Sequence, residues 1–239
     1  MDPIPSIHFH AYKATDDPDL CQKYLQGHRR VLEAVGVKKL TSANEVWTQD
    51  PHCYVIVAQD PATGRVLGGT RVQISTLAFP LPIEGAIGMM DPSIHPFIAS
   101  MPPLSCAEMC GMWNSREVGG MGIGSTYVNR IGISLLTQIG VSTLVGLAAS
   151  WTLDMGKRAG FVVAEQFGQR GTFYYPKEDF IATAIIIQDI VNLPAAHPEE
   201  RALIFDLRNR PVQESIDQTR MGQVKISYDL KINIQQATS

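Results

Sequence analysis

The chain has 239 residues, with 20 Lys and Arg against 23 Asp and Glu for a formal charge of -3. That balance argues against nucleic acid or an anionic membrane surface as the main partner. Charged residues make up 18% of the chain, below the about one quarter of an average protein, which leaves room for a homodimer interface or an apolar ligand.

Taken in chain order, the first stretch, "MDPIPSIHFHAYKATDD", has no basic start followed by an apolar run, so no signal peptide is read and a cytoplasmic protein is expected. His8 and His10 flank Phe9 there, a placement read as chance or strand edge and not as a metal site. Asp16 and Asp17 before Pro18 predict a helix start; Leu20, Tyr24, Leu25, Val31, Leu32 and Val35 repeat at helical spacing, and Gly36 supplies the stop. "CYVIVAQD" and "RVLGGTRVQI", joined by "PATG", predict a hairpin. From Leu77 to Leu104 the chain predicts a long loop with short helical turns.

"SCAEMCGMWN" reads as a strand, followed by a glycine-rich loop and a helix from about Gly124 to Ile139. The uncharged run Ile131 to Leu153 is long enough to suggest a membrane span. Gly140 near its middle, and several Ser and Thr, split it instead into the end of that helix and a buried strand from Thr143 to Ala149. A helix from Ser150 to Ala159, a strand from Phe161 and the apolar strand "FIATAIIIQDI" follow. "QVKISYDLKINI" alternates Val224, Ile226, Tyr228, Leu230, Ile232 and Ile234 at period two, a half-buried strand. The polar stretch before it, "PAAHPEERALIFDLRNRPVQESIDQTR", has no clear pattern. The expected architecture is a single α/β (α+β) domain over residues 1–239, a mixed sheet flanked by helices. Its core covers about 18–190, with an N-terminal extension and a C-terminal one of about 191–239. The four cysteines, Cys21, Cys53, Cys106 and Cys110, form no CxxC pair and are read as reduced thiols.

Gly111, Gly119, Gly120, Gly122 and Gly124 crowd the junction between the strand and the helix. Glycines there let backbone amides and a helix start close on an anion, usually phosphate. The NTPase loop fails for want of a lysine before Ser125, and the dinucleotide pattern fails because its last glycine would be Ser125 or Tyr127.

The segment "AEMCGMWNSREVGGMGIGSTYVNRIG" resembles the GNAT acyltransferase superfamily, with Gly122 and Gly124 at the two small positions of its signature and Gly119 where Gln or Arg is usual. The hairpin before it and "TLVGLAA", "SWTLDMGKR" and "AGF" after it resemble the family's neighbouring elements, from about Tyr54 to Phe161. The resemblance implies a GNAT-like, mostly antiparallel sheet, acyl-coenzyme A as co-substrate with no metal, and transfer of the acyl group to a small-molecule amine. It implies that Gly119, Gly120, Met121, Gly122, Ile123, Gly124 and Ser125 hold the diphosphate. It further implies that Met112, Trp113 and Asn114 lie along the pantetheine arm, with the Asn114 amide at the thioester carbonyl. An amine must lose a proton to attack, and Glu108, the one carboxylate in "LSCAEMCGMWN", falls where many members carry their base. Gly156 stands where a frequent general acid, a tyrosine, would be. "VLGGTRVQI" before a long loop and "AEMCGMW" is also similar to acyl-homoserine-lactone and N-acyl amino acid synthases, which implies Arg71 as a substrate-binding residue and acyl carrier protein as an alternative donor. The arginine those proteins carry three residues after the glutamate is Gly111 here. A GNAT-like module that binds coenzyme A without catalysis is the remaining alternative.

Overall fold

A computed structural model describes residues 4–34, 36 and 45–232. Val35 and Ile234 of the periodic patterns above lie outside the described residues. The strands are β1 (Ser6–Lys13), β2 (Cys53–Gln59), β3 (Val66–Ile74), β4 (Cys106–Asn114), β5 (Thr143–Ala149), β6 (Val162–Val163), β7 (Thr172–Tyr174), β8 (Ile181–Ile187), β9 (Val212–Thr219) and β10 (Gly222–Asp229). They form one sheet in the order β6-β8-β5-β4-β3-β2-β1-β10-β9, with β7 also on β8. Among the described residues only β1–β10 and β4–β5 pair in parallel. The helices are α1 (Pro18–Ala34), α2 (Pro82–Ile87), α3 (Ile94–Ala99), α4 (Val128–Leu135), α5 (Leu153–Ala159) and α6 (Pro198–Asn209). The mixed, mostly antiparallel sheet flanked by helices is the expected architecture.

Local chemistry explains most of these boundaries. Asp17 Oδ1 accepts from Leu20 N–H at 2.9 Å, so α1 begins where an acid precedes Pro18. It ends at Ala34, and Gly36 just beyond has a φ of +70° that suits a left-handed stop. The uncharged run from Ile131 divides as expected, with Gly140 at φ +74° turning the chain between α4 and β5. No helix among the described residues is long and apolar enough to cross a membrane.

Other boundaries differ. The helix expected from Gly124 starts with a π-turn over Ile123–Tyr127 before α4, because Tyr127 N–H donates to Gly122 O five residues back. The helix expected from Ser150 begins at Leu153, after a turn closed by Thr152 N–H on Ala149 O. The strand expected at Phe161 is two residues long.

One apolar cluster packs α4 and α6 against one sheet face, and includes Ile56, Val72, Ala107, Ile131 and Ile226. Another joins α1 to the opposite face through Tyr24, Trp47, Val55 and Trp113. A third lies under α2 and α3, over β4, β5 and β8.

Residues beyond 190 add β10 and β9 to the same sheet through β1. They also fix the start of α4. Tyr127 Oη donates to Asp217 on β9 at 2.7 Å, and Phe9 stacks between the rings of Tyr127 and Tyr228. Arg130 of α4 forms a two-pronged ion pair with Glu200 of α6 at 2.7 and 3.0 Å, both side chains buried.

Candidate active site

β4 and β5 pair only from Cys106 to Glu108, against Thr143 to Val145. Beyond that point β5 continues on β8 alone and β4 on β3 alone, so the two strands part like a V with Glu108 at its apex. The edge of β4 in this gap offers unpaired amides. Ser115 N–H donates to Leu67 O on β3 at 2.7 Å. Successive strand amides point to opposite edges, so those of Asn114 and Met112 point away from β3 into the gap.

A bulge sharpens the bend of β4. Gly69 and Arg71 on β3 face Trp113 and Cys110, so three steps on β4 match two on β3. The extra residue is Gly111, at φ +64°. A Cβ there would lie 2.5 Å from Tyr24 Oη and 3.2 Å from Arg71 Nη1, and Tyr24 Oη donates to the Gly111 carbonyl. The glycine that replaces an arginine in the resemblance is therefore required by backbone conformation and by α1. Gly111→Ala should destabilise the fold by about 1–3 kcal/mol, read from the urea midpoint at unchanged m.

The glycine loop closes the open end of the V and divides its amides into two sets. Those of Gly119 and Met121 donate to Arg116 O and Val118 O, and Ser125 donates to Gly122 O. Gly124 N–H donates to the Asn114 side-chain Oδ1 at 2.9 Å. The amides of Gly120 and Gly122, at φ +80° and +76°, have no partner among the described residues. Gly119 and Gly120 are exposed and Met121 and Gly122 half-buried, so this part of the loop faces solvent ahead of α4. Ile123 is buried in the core, and Trp113 turns under α1, its ring filling the space that a side chain at Gly27 would need.

On the α1 face lies a buried polar cluster. Arg71 is wholly buried, its guanidinium 4.6 Å from the centre of the Trp47 ring. Burial, and then the Arg71 charge, push His28 down to about 4, so it is neutral near pH 7. Asp50 is buried and raised by desolvation, against His52 N–H, which donates to Oδ1 at 2.8 Å, and the Arg71 charge. Asp50 Oδ2, Trp47 Nε1 and Trp113 Nε1 are buried without a hydrogen-bond partner among the described residues. Such atoms are costly in a closed core and ordinary in a site that awaits a polar ligand. Burial also pushes the Cys110 thiol up to about 12, which keeps it a neutral liner.

Glu108 is 3% exposed, and its Oε2 accepts from Ile83 N–H of α2 at 2.6 Å. Desolvation raises it to about 8, against the Ile83 hydrogen bond and the Arg71 charge, while Glu84 adds to the rise. A carboxyl group that titrates near neutral pH, at the apex of a gap between strands, has the properties of a general base. Gly156 packs against β8, where a Cβ would meet Ile185 Cδ1 at 3.3 Å and Phe161 at 3.7 Å, so it would fit only if the Ile185 side chain gave way by a few tenths of an ångström. Among the described residues no group of three or more His, Cys, Asp or Glu side chains could hold a metal ion.

Three contributors are not legible in the sequence. Ile83 and Glu84 lie in a stretch without periodicity, and Asp50 sits in a turn. The available signal was a single-turn helix starting at Pro82, with Glu84 three residues after Leu81.

No protein-family model matches the chain, and no curated protein sequence does. Solved structures do. FeeM, an N-acyl amino acid synthase from uncultured soil microbes, superposes with a TM-score of 0.60 at 11% identity, over 83% of this chain and 94% of that one. BjaI, a CoA-dependent acyl-homoserine-lactone synthase with SAM and isopentyl-CoA, gives 0.54 at 15%, over 87% and 90%. The synthase LasI gives 0.51 at 15%, over 78% and 91%. The chain thus has the expected GNAT-like fold, in the form shared by acyl-homoserine-lactone synthases and an N-acyl amino acid synthase.

Proposed function

We propose that the protein is an N-acyltransferase that moves an acyl group from a thioester carrier, acyl-coenzyme A, to an amine by direct attack in a ternary complex. The observation that carries this reading is the V between β4 and β5, lined by the outward amides of Met112 and Asn114 and closed by the free amides of Gly120 and Gly122. A pantetheine arm offers amide groups to the first pair, and a diphosphate suits the second pair at the start of α4.

Along this path the arm passes the Asn114 and Met112 amides and carries the thioester toward the apex of the V beside Glu108. Asn114, whose side chain accepts from Gly124 N–H, lies at the diphosphate end. Glu108 takes the proton from the amine nitrogen. The tetrahedral intermediate then collapses, forming the amide and expelling the carrier thiolate. Gly156 carries no side chain that could protonate the leaving sulfur.

The acceptor reading favoured by the buried cluster is an amine derived from an amino acid. The charge of Arg71 and the two buried indole N–H groups match a carboxylate. FeeM, which shares the fold, is an N-acyl amino acid synthase, so its acceptor class agrees with this reading. An acyl carrier protein is the alternative donor under the same reading.

Thiol release from acetyl-, hexanoyl- and decanoyl-coenzyme A, with single amino acids as acceptors, tests it. Release that depends on the amine supports the transferase. Binding of coenzyme A without consumption of any thioester would make the fold a ligand-binding module.

A further inference from the structure

Glu108 presents a problem that the proposed reaction must solve. It is almost wholly buried and sealed by the first turn of α2, yet each turnover leaves a proton on it. We propose that Glu84 and His95 carry this proton from Glu108 to solvent. The inference rests on the N-acyltransferase reading and adds two residues to it.

The geometry forms a gradient of exposure. Glu108 and Glu84 bind amides two residues apart in one turn: Ile83 N–H donates to Glu108 Oε2 at 2.6 Å, and Leu81 N–H donates to Glu84 Oε2 at 2.8 Å. The other oxygen of Glu84 lies 3.2 Å from His95 Nδ1. The Glu84 side chain is 14% exposed and that of His95 52%, so the sequence Glu108, Glu84, His95 runs from core to water. The imidazole is seated by a glycine: a Cβ at Gly88 would lie 2.4 Å from His95 Nε2. Gln73 Nε2 donates to Pro80 O at 3.0 Å, which pins the start of α2 to the strand beside Glu108.

The ionisable groups facing Glu108 are Arg71 on β3, Glu84 on α2, and Cys106 and Cys110 on its own strand. Burial raises both thiols to about 12, so they neither take nor pass a proton near neutral pH. Arg71 keeps its own. Glu84 is the remaining acceptor.

The balance is simple. The amine N–H proton moves to the Glu108 carboxylate as the carbon–nitrogen bond forms. It passes from the Glu108 hydroxyl through a bridging water to a Glu84 oxygen, since the two carboxyl groups make no direct hydrogen bond, and from Glu84 to His95 Nδ1. The imidazolium gives its Nε2 proton to water, and tautomer exchange in solvent frees Nδ1 for the next cycle. Both carboxylates are restored, and one proton has left the substrate for bulk water.

His95→Gln separates this role from a structural one, since glutamine still donates to Glu84 but takes up no proton. In dilute buffer it should lower kcat for amine-dependent thiol release by about tenfold, leave KM for acyl-coenzyme A unchanged, and regain rate as imidazole is added. Glu84→Gln, which still accepts from Leu81, should show the same loss without the imidazole response. A His95→Gln enzyme as fast as the parent overturns the relay, and the transferase reading then stands if Glu108→Gln is slow. If the parent releases no thiol with any amine, the transferase reading fails first and the relay falls with it.

Discussion

Glu108→Gln is expected to lower amine-dependent turnover by about 10²–10⁴ and, in the same protein, to raise stability at alkaline pH. Both effects come from one burial. The carboxyl group titrates at about 8 in the fold, against an ordinary 4.5. Below pH 4.5 both folded and unfolded chains hold the proton, so the group costs nothing. As pH rises toward 8 the unfolded chain releases its proton while the fold keeps it, and stability declines. Above 8 the loss is complete and constant. Each pH unit in this window costs up to about 1.4 kcal/mol, and structural relaxation reduces the total to a few kcal/mol. Glutamine removes this penalty while its carbonyl still accepts from Ile83 N–H. Urea denaturation of both proteins at pH 5 and pH 9 should show the difference only at the higher pH. In the parent, kcat/KM should rise with pH through about 8 as the base ionises, a limb absent from the variant.

Gly124→Ala should have the larger effect on folding. A Cβ there would lie 2.4 Å from Trp113 O, 2.5 Å from Asn114 Cβ and 2.6 Å from Asn114 Cα. These atoms belong to β4 where it pairs with Gly68 and Gly69 of β3, so they yield only if the ladder opens. The hydrogen bond from Gly124 N–H to Asn114 Oδ1 would be lost with it. The expected cost is about 3 kcal/mol, read from the urea midpoint, together with weaker coenzyme A binding because the loop is displaced from the end of the V. Gly120→Ala is the control. Its residue is exposed, its Cβ would touch only the flexible Met221 side chain at 3.2 Å, and the backbone strain at φ +80° amounts to about 1 kcal/mol.

The two glycines show what a sequence does and does not disclose. Gly122 and Gly124 look equivalent as small positions of one motif. The structure separates them: one amide faces solvent, and the other residue is small because β4 leaves no room. Gly111 reads as a missing arginine until the bulge and Tyr24 are seen. Patterns confined to a few neighbouring residues were legible, among them Asp17 before Pro18, the β2–β3 hairpin, and β4 with its one acid. What depended on distant partners was not. β1 has an apolar face of Ile7, Phe9 and Ala11, but alternating histidines mask it, and its place inside the sheet rests on β10, more than 200 residues away. β9 exposes Val212 and Ile216 and half-buries Gln213, Ser215 and Asp217, the inverse of the alternation that marks a strand. The partner of Glu108 is Ile83, twenty-five residues upstream in a loop without periodicity.

Under the proposed function, bare amides at the end of the V hold the diphosphate of the acyl carrier. A crystal of the protein with coenzyme A tests it most directly. Diphosphate oxygens are expected within hydrogen-bonding distance of Gly120 N and Gly122 N, with the pantetheine arm between β4 and β5 and its sulfur pointing toward Glu108. Coenzyme A bound elsewhere, or β4 and β5 closed into a continuous ladder past Glu108, would contradict it.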